Sequence, residues 1–364
     1  MPDALRCMLM RGGTSKGTYF LAEDLPTSPA ERDDLLLRVM GSGDSRQIDG
    51  LGGAHPLTSK VAVISPSEQD GVDVDYLFLQ LGVEAATVSD RQNCGNLLAG
   101  VGPFAVERGL FPAGDPRTEI RIRMVNSDSL ATARFATPGG VVDYRGDAAI
   151  SGVPGTAAPI MLDFAGTEGS ATGALLPTGN VTDRVDGIEV TCVDNGMPVV
   201  VARAGDLGIT GYETDRELAE DDALLARVQS LRIAAGELMG LGDVRDTSVP
   251  KTTLVAAPRE GATICTRTFI PVRPHTSIGV LGAISVVTAL AIRGAAGAEL
   301  AAPPDGARFT VEHPSGQLQI EAEVDTSDGQ VRVRRSGVLR TARKLFDGTV
   351  FPAPWNGGGS ATTA

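Results

Sequence analysis

A thiol, an amine and the amides and hydroxyls around them are the groups in this sequence best suited to moving a proton. Cys94 lies in Asn93-Cys94-Gly95-Asn96, at the head of the apolar run 97–106. Asn is a good helix N-cap, so Asn93 should close a first turn and leave Cys94 at the first helical position. Unpaired N–H groups and the positive end of the helix dipole favour an anion there, whether a thiolate or a substrate carboxylate. The plainer alternative is a buried structural cysteine. Lys60 ends an irregular stretch, 47–59, that contains three glycines and a proline, and it opens the apolar run Val61-Ala62-Val63-Ile64. A partly desolvated lysine there could serve as a base, whereas a snorkelling one would be surface structure. Arg cannot act as a proton-transfer base at ordinary pH. The chain has 28 Arg but only four Lys: Lys16, Lys60, Lys251 and Lys344.

Further polar clusters could hold an anion. Arg11-Gly12-Gly13-Thr14-Ser15-Lys16-Gly17 follows a strand-like segment, 4–10, and carries two cations and two hydroxyls. It lacks the Gly-Lys-Ser/Thr of a Walker A loop, but its backbone N–H groups could bind an anion, or it could be a tight turn between strands. His275-Thr276-Ser277 introduces a second apolar run, 278–292. A Ser-Lys hydrolase built on Ser15-Lys16 or Ser59-Lys60 is disfavoured. Neighbouring side chains on extended chain point apart, and there is no Gly-x-Ser-x-Gly elbow. Cys7, Cys94, Cys192 and Cys265 are far apart, with no CxxC pair, so neither a disulfide framework nor a metal site is expected.

The elements that must position these groups follow from pattern. A chain of 364 residues, 42% hydrophobic, has room for two domains. A net charge of −13 argues against nucleic-acid or anionic-membrane partners. No basic segment precedes an apolar one as in a signal peptide, and 278–292 is too short and glycine-rich to span a membrane, so a cytoplasmic protein is expected. Alternation and apolar runs predict strands at 4–10, 18–22, 61–64, 72–81, 119–125, 130–136 and 141–144, with a helix over 30–40. In the second half they predict strands at 187–193, 198–202, 252–257, 262–270, 308–313, 317–324 and 330–335, and a final ordered piece, 339–351. A capping box, Thr214-x-x-Glu217, opens one amphipathic helix that runs to Leu238. The expected lobes are 1–184 and 185–352, followed by a flexible tail, 353–364. Each half thus pairs several strands with one apolar, glycine-containing helix. Two such helix N-termini facing one cleft would make a positive pocket.

Met10-Arg-Gly-Gly-Thr-Ser-Lys-Gly17, Gly50-Leu-Gly-Gly-Ala-His-Pro-Leu-Thr-Ser-Lys60, Gln92-Asn-Cys-Gly-Asn96 and His275-Thr-Ser-Ile-Gly-Val-Leu-Gly282 occur in that order. They resemble the PrpF-like branch of the diaminopimelate epimerase-like superfamily, over about residues 4 to 352. The resemblance implies an α+β fold of two similar lobes, each a mixed β-barrel-like sheet around a central buried helix. It places the active site between the lobes and lets the last strand return to the first.

The resemblance implies movement of a proton within unsaturated tricarboxylates or related acids, with no cofactor. For this chain the implied reaction is keto–enol tautomerisation of 4-oxalomesaconate, an intermediate in the breakdown of gallate-type aromatic acids. The alternative is allylic double-bond isomerisation of that acid or of an aconitate- or methylitaconate-type acid. The implied catalytic pair is Lys60 and Cys94. Arg11, Thr14, Ser15, Lys16, Ser59, Asn93, Gly95, Asn96, Asn195, His275, Thr276 and Ser277 are the implied substrate-binding residues. Where epimerases of the superfamily carry a second Cys this chain has Thr276-Ser277, which removes two-thiol racemisation. The expected partner is a small tricarboxylate; a homodimer is allowed.

Overall fold

The structure, a computed structural model, describes residues 4–90, 93–259, 261–327 and 330–354. Gln92 and the expected tail from 355 onwards lie outside the described residues. Among those described, the strands are β1 (Leu5–Gly12), β2 (Ser15–Leu21), β3 (Lys60–Pro66), β4 (Val74–Leu81), β5 (Val88–Ser89), β6 (Arg117–Met124), β7 (Ser129–Ala136), β8 (Pro159–Ala165), β9 (Asp183–Val185), β10 (Ile188–Asp194), β11 (Pro198–Arg203), β12 (Lys251–Ala256), β13 (Ile264–Phe269), β14 (Arg308–His313), β15 (Gly316–Asp325) and β16 (Arg332–Val350). The helices are α1 (Pro29–Met40), α2 (Gly95–Glu107), α3 (Asp215–Ala219), α4 (Asp222–Leu238) and α5 (Val280–Leu290). None of them is long and apolar enough to cross a membrane.

The described residues within Met1–Ala149, Val153–Met161 and Arg340–Ala364 form one unit; those within Ile150–Gly152 and Leu162–Leu339 form the other. The chain therefore first changes unit near residue 150 rather than at 184. The glycine-rich stretch that suggested the later boundary follows β8, a strand whose pattern passed unnoticed in the sequence.

In the first unit the strand order β1-β2-β3-β4-β6-β7-β8-β16 closes on itself, because β16 pairs again with β1. The result is an eight-stranded mixed barrel. α2 packs against β1, β2, β3, β4, β6 and β7, and every residue from Leu97 to Ala105 is buried. Its glycines are what allow so close a fit: a Cβ on Gly100 would stand 2.5 Å from Tyr19 Oη, and one on Gly102 would stand 2.6 Å from Phe135 Cε1. Outside the barrel, Leu35, Leu36, Val39 and Met40 of α1 cover Val61, Val63, Leu79 and Leu81. Alternation then turns Lys60, Ala62 and Ile64 of β3 to the opposite, inner face, each directly across from Gln80, Phe78 and Tyr76 of β4.

The second unit repeats this plan. Its strands run β16-β15-β14-β13-β12-β11-β10-β9, and the buried α5 packs on β10 and β11 towards one end and β15 towards the other, so the sheet curls round it. The pairings match step for step. β1–β2 is antiparallel, β2–β3 parallel, β3–β4 antiparallel, β4–β6 parallel and β6–β7 antiparallel. β10–β11, β11–β12, β12–β13, β13–β14 and β14–β15 follow the same alternation. α2 and α5 occupy the same place in the two series. The fold is α+β, two similar lobes each wrapped round a buried helix.

Three local expectations change. The segment 141–144 forms no strand; Val141 is exposed beyond the turn Pro138–Gly140. The amphipathic helix expected from Thr214 to Leu238 is two, because the Asp221 side chain accepts from Leu224 N at 2.9 Å and caps a new helix. The segments expected at 330–335 and 339–351 are one continuous strand, β16.

Candidate active site

In the first unit Thr14, Ser15, Cys94 and Asn96 lie at the start of α2. Gly13-Thr14 forms the turn of the β1–β2 hairpin, with Gly12 paired to Ser15, so Ser15 and Lys16 belong to a strand. The hairpin rests on the helix: a Cβ on Gly12 would stand 2.4 Å from the Asn96 carbonyl oxygen, and Gly13 has a positive φ. Asn96 Nδ2 donates to Thr14 Oγ1 at 3.0 Å and Ser15 Oγ at 3.3 Å. Arg11 Nη1 donates to the carbonyls of Gly13 and Thr341, each at 2.9 Å, so the guanidinium ties the hairpin turn to β16. Burial, aided by Arg343, lowers the Arg11 pKa. Lys16 is directed at the irregular loop: a Cβ on Gly53 would lie 3.2 Å from its Nζ. The structure thus joins Thr14, Ser15 and Asn96, and gives Arg11 and Lys16 other neighbours.

Cys94 is itself the N-cap of α2, with Gly95 the first helical residue, one position away from the expected register. Its carbonyl accepts from Leu98 N at 3.1 Å, and no side chain caps the helix. The thiol therefore stands where Ser, Thr, Asn or Asp usually accepts from the free N–H groups of the first turn. That position offers an anion oriented N–H donors as well as the dipole. Cys94 is 8% exposed. Tyr76 Oη donates to its carbonyl oxygen at 3.2 Å and Tyr19 Oη to that of Leu97 at 2.5 Å, so two buried phenols pin the helix start. Asn93 Nδ2 donates to Ser127 Oγ at 2.5 Å.

Lys60 opens β3 and is 7% exposed. Its Nζ donates to Gln80 Oε1 at 2.6 Å and stands 5.0 Å from the centroid of Phe78. Ser59, fully buried, donates to Gln47 Oε1 at 2.5 Å, which also accepts from Ala54 N at 2.9 Å. That hydroxyl braces the loop. Gln80, Phe78 and Tyr76 were not singled out in the sequence. The available signal was a glutamine on the same alternating face as two aromatics.

In the second unit the expected residues divide. Asn195 is fully buried: its N donates to Ser285 Oγ, its Nδ2 to Thr288 Oγ1, and its Oδ1 accepts from Thr167 Oγ1. The side chain laces the β10–β11 turn to α5. His275 Nδ1 accepts from Ser277 N at 2.9 Å, Ser277 Oγ meets His313 Nε2 at 3.3 Å, and Thr276 is exposed. Gly279 caps α5 without a side chain, and a Cβ there would lie 3.6 Å from Lys251 Nζ. Lys251 opens β12 as Lys60 opens β3, opposite the parallel neighbour in each case. Its burial lowers its pKa. In the sequence Lys251 is only one of four lysines; its place in the repeat emerges from the strand pairings.

A family model described as "PrpF protein" matches residues 4–353. The chain is 58% identical over 351 residues to (4E)-oxalomesaconate Delta-isomerase of Novosphingobium sp. (strain KA1), covering 96% of this chain and 98% of that one. It is 53% identical to 4-oxalomesaconate tautomerase of Pseudomonas putida, covering 94% and 95%. Among solved structures, a methylitaconate-delta-isomerase superposes with a TM-score of 0.88 at 32% identity, covering 98% of this chain and all of that one.

Proposed function

This chain belongs to the PrpF family, and on that premise we propose that it is an isomerase that tautomerises 4-oxalomesaconate by acid/base proton transfer. Two relatives more than half identical over nearly the whole chain carry that substrate in their names. The observation that carries the mechanism is the position of Cys94 as the N-cap of a helix that no side chain caps.

In 4-oxalomesaconate the methylene beside the ketone is acidified by the carbonyl and, through conjugation, by the alkene and its carboxylates. Loss of one proton gives a dienolate; its return to oxygen gives the enol. The reaction needs a base, an acid and donors for the oxyanion. Lys60 and Cys94 are the proposed acid/base pair. The N–H groups at the head of α2 and the hydroxyls of Thr14 and Ser15, both held by Asn96 Nδ2, are the proposed donors to a carboxylate or the oxyanion. Asn93 and Gly95, which flank Cys94, and Ser59, which precedes Lys60, are further proposed substrate-binding residues. Thr276, Ser277 and His275 are the proposed substrate-binding residues of the second unit.

A second reading is favoured by the name of the 58% identical relative: allylic isomerisation, in which the dienolate is reprotonated at the far carbon. It uses the same residues. Purified protein should be assayed by ultraviolet absorbance against 4-oxalomesaconate, 2-methylaconitate, trans-aconitate and methylitaconate, with the product identified by NMR in deuterated water. Preference for the first acid with an enol product supports the proposal. A shifted alkene supports allylic isomerisation, and preference for another acid overturns the substrate.

A further inference from the structure

We propose that Gln80 is the positioning residue that sets the Lys60 amine for proton transfer. The inference rests on Lys60 being a catalytic residue, as assigned above. Lys60 and Gln80 are directly opposed in the antiparallel β3–β4 pair, on its inner face. Lys60 Nζ reaches Gln80 Oε1 at 2.6 Å. The far side of the same amide is fully engaged: Nε2 donates to the carbonyls of Pro56 at 3.1 Å, Ser59 at 3.0 Å and Leu81 at 3.2 Å. An amide nitrogen surrounded by three carbonyls cannot exchange places with its oxygen, since the oxygen would then face three acceptors. Oε1 is therefore held towards Lys60.

The arrangement answers a problem particular to lysine. Its ammonium rides on a flexible four-carbon stem with three rotatable donors. One donor is fixed by Oε1, and the Phe78 ring, two residues earlier on β4, bounds the space at 5.0 Å. The remaining N–H groups are thereby aimed. A neutral acceptor does this without forming an ion pair, which a glutamate at the same place would do. The same amide grips Pro56 and Ser59, so the irregular loop and the catalytic amine are located by one side chain.

The test is a double-mutant cycle in the full chain, measuring kcat and KM for 4-oxalomesaconate in wild type, Gln80→Met, Lys60→Ala and the double variant, with circular dichroism as the check on folding. The expected result is a kcat for Gln80→Met lower by about 100-fold, as for a misplaced reacting group, with KM little changed. Gln80→Met should cost nothing further once Lys60 is Ala. Gln80→Glu, close in shape, should fold and also lose kcat, and it serves as the comparison if Gln80→Met does not fold. Near-wild-type kcat in the folded Gln80 variants, or losses that add to those of Lys60→Ala, would overturn the inference while leaving the function standing. A fully active Lys60→Ala would overturn both.

Discussion

Tyr76 Oη donates to the carbonyl oxygen of Cys94, and the face of β4 that presents Tyr76 also presents Gln80 to Lys60. One strand thus anchors both members of the proposed catalytic pair. Tyr76 and Gln80 are four residues apart, about 13 Å along an extended strand, and their long side chains reach towards α2 and Lys60. Tyr76→Phe keeps the ring and removes the donor. It should cost about 1 kcal/mol, a fall of about 1–2 °C in the unfolding midpoint, and lower kcat because the helix start is no longer pinned. Calorimetry and steady-state kinetics check both; an unchanged kcat would separate Tyr76 from the site.

Gly12 tests whether the hairpin must lie against the helix. An added Cβ would come within 2.4 Å of a backbone oxygen, that of Asn96, in the first turn of the helix that Cys94 caps. Gly12→Ala should therefore displace the site and abolish most of the activity, whereas Gly205→Ala, whose Cβ would meet nothing within 4 Å, should leave both stability and rate near wild type. Equal effects from the two would contradict the close fit.

The four thiols should separate by reactivity. Burial pushes Cys7 up to about 11 and Cys192 up to about 12, and it raises Cys265 as well. These three stay protonated near pH 8, and a protonated thiol is a poor nucleophile. Cys94, the most exposed of the four, should take up iodoacetamide first in the native protein, as peptide mass spectrometry would show. First labelling of another cysteine would contradict the placement of Cys94.

The same shifts set an alkaline limit. An unfolded chain releases these thiol protons near 9, while the fold holds those of Cys7 and Cys192 to about 11 and 12. The unfolded state then binds fewer protons, so stability is complete below pH 9 and falls from there to pH 11–12. The buried phenols of Tyr19 and Tyr76, also raised by desolvation, add to the loss above pH 10. Urea midpoints at pH 8 and 10.5 should show the decline, and Cys192→Ala should flatten it. Constant midpoints would refute it.

What the sequence disclosed follows the range of each interaction. Lys60 and Cys94 are conspicuous because each stands at the head of an apolar run, where a local pattern shows it. The α2 N-cap was misplaced by one residue because Asn is the better cap by propensity, yet Cys94 occupies the position and Asn93 turns to Ser127. Asn195 enters the sequence reading only through the family resemblance, because its partners Ser285 and Thr288 lie about ninety residues on, in α5. Gln80 acquires its role only through strand register, and Lys251 its likeness to Lys60 only through a repeat in pairing order. Both are long-range facts that no local window contains.

The most direct test of the account is deuterium uptake at the methylene of 4-oxalomesaconate, followed by proton NMR in deuterated water with wild type, Lys60→Met and Cys94→Ser. Rapid exchange is expected with wild type, and a loss of about 100-fold or more with each folded variant, the scale of a missing general acid or base. Exchange at the wild-type rate in either variant would contradict it.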